Sequence, residues 1–182
     1  MARLPYVDLS TASEEVRTLF GRMPVHLNIF RMTAHAQTNF RSMLRFGNAI
    51  LVRQTLDARL RELAILRVAK LSRAPYEWVQ HVPIAEAAGA SAEQIAALDR
   101  DDIAAPCFSV LEQLVLRFTT EVARDVRASD AVFAEMTEYF SPQEIVELLF
   151  AIGFYMMMAR IMETCEVDME PAAGMPLFRT AR

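Results

Sequence analysis

The sequence is short of several things, and each shortage narrows what the protein can be. Its 182 residues include two cysteines, Cys107 and Cys165, far apart in the chain. No disulfide framework, CxxC redox pair or four-cysteine zinc site can be built from them alone. Glycine and proline are scarce, at 5 and 8, against 53% hydrophobic residues, which excludes collagen-like and disordered chains. There is no basic excess: 19 Lys plus Arg stand against 23 Asp plus Glu, a net charge of −4, whereas binding to phosphates requires a basic surface. The longest uncharged run in the last predicted helix, Leu148 to Ala159, is twelve residues, short of the roughly 18 needed to span a bilayer. The opening MARLPYVDLS lacks the apolar stretch of a secretory signal. These shortages predict a soluble, cytoplasmic protein with no nucleic-acid or membrane partner.

What is present is helical periodicity, with no run of alternating strand residues. Thr11 and Glu14 have the spacing of a capping box and predict the first helix start. Helical stretches follow over 27–33, 40–51 and 57–71, and Pro75 fits the first turn of the next helix. Gly89 closes that helix, and Ser91 with Gln94 caps another. After a linker over 99–106 come helices over 108–124 and 129–139, then a long one opened by Ser141, Pro142 and Glu144. Short connections and even composition predict one all-α domain over residues 1–182, of about eight helices. The segment 60–71 is apolar around most of its circumference, and 145–162 contains just Glu147 and Arg160 as charges, so each must be buried centrally or covered by another subunit.

Three residues stand out chemically. Glu62 falls on the apolar side of its helix, where a carboxylate either finds a partner such as Arg59 or Arg61 or has its proton affinity raised. Glu77 and His81 are four apart and share one helix face with Ile84 and Ala85. A carboxylate beside an imidazole fixes its tautomer and suits it to general acid or base work. Plainer roles also fit these positions: a dipole-favoured acid in the first helical turn for Glu77, a satisfied core histidine for His81, an ion pair for Glu62. Tyr76 and Gln80 form a second polar pair at the same spacing, and Trp78 is the sole tryptophan. His26 and His35 are read as structural.

The frame of Glu62, eleven residues, Ala74, two residues, Glu77, three residues, His81 resembles that of the carboxymuconolactone decarboxylase and alkylhydroperoxidase D-like superfamily. The segment RELAILRVAKLSRAPYEWVQHVPIAEAAGAS and the ending GFYMMMARIMETCEVDME share the likeness, which covers roughly residues 40–170. The resemblance implies an all-helical alkylhydroperoxidase D-like fold and a homo-oligomer, commonly a trimer or hexamer. The peroxidase branch of that family has Cys-x-x-Cys where this chain has Ala74 and Glu77. Without those thiols, peroxide chemistry by attack and resolution has no machinery.

The remaining set predicts acid/base chemistry on a small carboxylated lactone or keto acid, by decarboxylation or isomerisation. His81 is expected to act as acid or base poised by Glu77, with Glu62 and Tyr76 assisting. Trp78, Gln80 and Arg61 are expected to bind substrate, and no cofactor or metal is called for. Two further readings fit the same residues: a divalent metal held by Glu62, Glu77 and His81, and an oligomeric binder of small ligands without catalysis.

Overall fold

The computed structural model describes residues 1–174. Among them the chain forms nine helices and no strand: α1 (Glu14–Gly21), α2 (Asn28–Thr33), α3 (Gln37–Arg53), α4 (Ala58–Ser72), α5 (Pro75–Ala87), α6 (Ala92–Asp99), α7 (Val110–Asp125), α8 (Asp130–Tyr139) and α9 (Pro142–Cys165). The all-helical expectation holds.

The starts follow local chemistry. Ser91, Ser109 and Ser141 each cap a helix whose third residue, Gln94, Glu112 or Glu144, reaches back to complete a capping box. Asp57 caps α4 by accepting from the backbone of Arg59 and Leu60. The first helix differs from expectation. Its cap is Ser13, whose hydroxyl accepts from Val16, while Thr11 is held in a turn closed on the carbonyl of Asp8.

α4 is the centre of the molecule. All ten residues from Leu60 to Ala69 are buried, and the helix packs against α5, α7 and α9. Burying Leu63 and Leu66 completely contributes roughly 2–3 kcal/mol each. α4 ends where Arg73 adopts a left-handed conformation at φ 53°, and only Arg73 and Ala74 separate it from α5. That tight link folds α5 back on α4 and brings Glu62 and His81, nineteen positions apart, into contact.

α9 is long and apolar enough to cross a membrane by length and composition, which the twelve-residue run had not suggested. Half of its most apolar window is buried inside the fold, as in the core helix of a globular domain. Its outward side leaves Val146, Leu149, Phe150 and Met157 exposed.

Beyond α9 the chain runs as an extended strap over residues 167–174. Asp168 accepts from the hydroxyl of Tyr6 at 3.0 Å and pairs with the amino terminus at 3.2 Å, so both ends of the described chain are tied together.

Candidate active site

Glu62 is completely buried on α4. One of its oxygens, Oε2, lies 2.9 Å from His81 Nδ1 on α5, and the other, Oε1, accepts from Arg61 Nε at 3.3 Å. The acid that orients His81 is therefore Glu62, which corrects the expected pairing with Glu77. The i, i+4 spacing did put Glu77 and His81 on one face, but the carboxylate that meets the imidazole arrives from the neighbouring helix. In a neutral imidazole, an Nδ1 proton directed at Glu62 leaves the lone pair on Nε2. Nε2 has no hydrogen-bond partner among the described residues. The imidazole also meets the ring of Tyr155 edge to face, with centroids 4.6 Å apart.

Glu77, His81 and Tyr155 border a cavity of about 280 Å³, walled otherwise mainly by apolar side chains including Met43, Phe154 and Met158. Gly47 contributes backbone only, and a Cβ there would stand 2.9 Å from the Phe154 ring. Both carboxyl oxygens of Glu77 are buried and without a partner. Burial raises the proton affinity of this carboxyl well above the usual carboxylate range, and the charge of Glu163 pushes the same way. Tyr155 is buried as well, and its phenol is shifted far upward by that burial and by the charges of Glu62 and Glu77, against an opposing effect of Arg61. The cavity thus presents a carboxyl whose protonated form is favoured by burial, a phenol and an imidazole among mainly apolar side chains.

The other predicted residues are placed differently. Tyr76 and Gln80 border the cavity but are taken up by the strap. The Tyr76 hydroxyl donates to the Glu170 carboxylate, and its ionisation is opposed by burial and by that bond. Gln80 donates to the carbonyls of Glu170 and Pro171 at 3.3 and 3.2 Å and accepts from the backbone of Ala173 at 2.9 Å. Trp78 lies outside the cavity lining, packed on a second apolar cluster built around Leu63, Leu66 and Leu98, with the Lys70 ammonium 5.9 Å from its ring centre. Arg61 is buried against Glu62 and does not line the cavity. The lining arginine is Arg22, which sequence reasoning did not single out.

His26 and His35 bond to the backbone carbonyls of Phe20 and Pro5, consistent with structural roles. Neither cysteine reaches the cavity: Cys107 packs beside the second cluster, and Cys165 borders a groove on the outer side of α9. Burial raises the Cys107 thiol further, away from the reactive thiolate. Among the described residues no three His, Cys, Asp or Glu side chains gather as a metal-ligating cluster; both Glu62 oxygens are already engaged.

Tyr155 is the residue that the sequence reading missed. It sits inside the apolar run of α9, and only its spacing from Met158 and Met162, which face the same cavity, could have signalled its direction.

Comparison with known proteins agrees with this architecture. Residues 37–121 match the model of the carboxymuconolactone decarboxylase family, a span that includes Glu62, Glu77 and His81. Among solved structures, an uncharacterized peroxidase-related protein with an alkylhydroperoxidase AhpD core from Ralstonia eutropha JMP134 superposes with a TM-score of 0.80 at 16% identity, covering 93% of this chain and 92% of its own. An uncharacterized peroxidase-related protein from Silicibacter sp. TM1040 gives 0.78 at 17% identity, over 100% and 96%. A cysteine-to-alanine variant of the debrominase Bmp8, in complex with 2,3,4-tribromopyrrole, gives 0.76 at 14% identity, over 93% and 94%. No curated protein matches the sequence. At these identities the structural likeness shows the fold, and the carboxymuconolactone decarboxylase family model matches a segment of it, residues 37–121.

Proposed function

We propose that the protein is a cysteine-independent acid/base enzyme that moves a proton beside the carbonyl of a small lactone or keto acid, leading to isomerisation or decarboxylation. The observation that carries this reading is the 2.9 Å contact of Glu62 with His81 Nδ1, which leaves Nε2 free beside a cavity containing the unpartnered acid Glu77. His81 is the base, and Glu62 fixes its tautomer and stabilises the imidazolium that forms. Glu77, whose protonated form is favoured by burial, is the hydrogen-bonding acid that faces the substrate oxygen. A substrate carboxylate would be met at Arg22 rather than Arg61, because Arg61 is committed to Glu62.

Turnover of a panel of carboxylated lactones and β-keto acids tests the reading. His81→Ala is expected to lower kcat by about 10³-fold, within the range for a positioned general base. Equal turnover by wild type and His81→Ala would remove it.

A homo-oligomer is part of the same proposal. Val146, Leu149, Phe150 and Met157 expose an apolar stripe on α9, and Phe46 packs edge to face on Phe150, which extends the stripe onto α3. Light scattering checks the mass, and Phe150→Glu is expected to shift it toward the monomer.

A further inference from the structure

The acid/base reading names a base and an acid, yet a proton taken from carbon leaves an electron pair that must be stabilised. We infer that Tyr155 is a catalytic hydrogen-bond donor which, together with Glu77, holds the carbonyl oxygen of a small enolisable lactone or ketone as negative charge develops on it. The inference rests on the proposed acid/base function and goes beyond it by assigning a residue and a substrate class.

Three observations support it. First, the Tyr155 phenol is buried at the cavity wall and makes no hydrogen bond among the described residues. A hydroxyl at the cavity wall with no partner among the described residues can donate to a ligand oxygen. Second, Glu77 reaches the same cavity with both oxygens unpartnered. Glu77, His81 and Tyr155 all border this one cavity. Third, the Tyr155 ring meets His81 edge to face at 4.6 Å, which fixes the donor relative to the base. A phenol and a carboxylic acid bordering one cavity beside an imidazole form a donor set that can stabilise an enolate.

The step balances within the site. The bond between hydrogen and the carbon next to the carbonyl breaks, its electron pair forms the carbon–carbon double bond, and the carbonyl π pair moves onto oxygen. His81 Nε2 takes the proton, while Tyr155 and Glu77 donate hydrogen bonds to the enolate oxygen and keep their own protons. Return of the proton from His81 to carbon completes an exchange or an isomerisation.

Cavity size sets the scale of the substrate. A dry cavity of about 150 Å³ holds benzene, so about 280 Å³ corresponds to a ligand of roughly eleven non-hydrogen atoms. The bicyclic ketone 2-tetralone and the enolate mimic 2-naphthol match that size, and both are uncharged.

The test uses the full chain. Binding of 2-naphthol is followed by its fluorescence, and exchange of the protons beside the carbonyl of 2-tetralone is followed by NMR in heavy water. Tyr155→Phe is expected to weaken 2-naphthol about tenfold, the loss of one buried hydrogen bond. It is expected to lower kcat for exchange about 10²-fold with little change in KM, as for loss of one donor to a developing oxyanion. Replacing Tyr155 by 3-fluorotyrosine keeps the packing and makes a stronger donor, so it is expected to tighten 2-naphthol; this guards against a fold defect in Tyr155→Phe.

Exchange by the wild type that persists undiminished in Tyr155→Phe overturns the assignment and leaves the acid/base reading standing. Absence of exchange in all forms, with 2-naphthol binding that depends on Tyr155, supports the donor site and removes the acid/base reading instead. A wild type that does not bind 2-naphthol overturns the inference.

Discussion

Helix α5 carries two polar pairs at the same spacing, one position apart, and they have opposite fates. Tyr76 and Gln80 are saturated, bound by the strap through Glu170, Pro171 and Ala173. Glu77 and His81 face the cavity, with Glu77 wholly unpartnered and His81 held only at Nδ1. A shift of about 100° around the helix axis separates a structural fastening from a reactive surface. Polar side chains at helical spacing therefore identify a face, and what the face touches decides whether its groups are satisfied or available.

The largest effect expected to sharpen this contrast is a pH dependence at Glu77. Its carboxyl is raised above the usual value of 4.5 by burial and by Glu163. The neutral form is thus favoured in the folded state, and the stability this contributes is present at low pH and lost as pH rises through the raised value. Glu77→Gln cannot ionise. Its stability relative to wild type, measured by urea unfolding from pH 4 upward, is expected to grow by up to about 1.4 kcal/mol per pH unit until Glu77 is ionised in the folded protein. A constant difference across pH would mean that the carboxyl is not in a dry site.

Next in size is the strap side. Gln80→Ala removes three hydrogen bonds to residues 170–173 and is expected to cost about 2 kcal/mol in thermal or urea unfolding. It should also speed proteolytic cutting within that segment. Unchanged stability and protection would break the contrast, because Gln80 would then be free to serve the cavity.

The smallest effect is expected at Glu170. Its carboxylate accepts from the Tyr76 hydroxyl and from the backbone of Asn28, and Glu170→Gln keeps an acceptor while removing the charge. A loss of about 1 kcal/mol is expected in urea unfolding.

The parts of this molecule that were legible in the sequence are those governed by local chemistry. The start of α9 at Ser141, Pro142 and Glu144 and the entry of α5 at Pro75 depend on residues within one helical turn. The Ser109 and Glu112 box follows the same pattern and was equally readable, whereas Thr11 and Glu14 had the spacing without the geometry. The site was legible by face only. Glu62, Glu77 and His81 did converge on one region, but which acid meets the imidazole depends on how α4 lies against α5, a tertiary fact. Tyr155 and the strap contacts of Tyr76 span 74 or more positions from their partners on other elements, and no window along the chain contains them. Arg61 looked available because its neighbour Glu62 had several possible partners, and the packed structure spends it there.

The bare backbone at Gly47 has a consequence of its own. Because the Phe154 ring already occupies the place where a side chain would begin, any substitution there must press that ring toward the chamber that Glu77 and Tyr155 share. Position 47 thus works as a size dial that turns in one direction only: alanine would exclude the bulkiest compounds first, and larger residues would progressively close the chamber through the Phe154 ring, which packs on Tyr155.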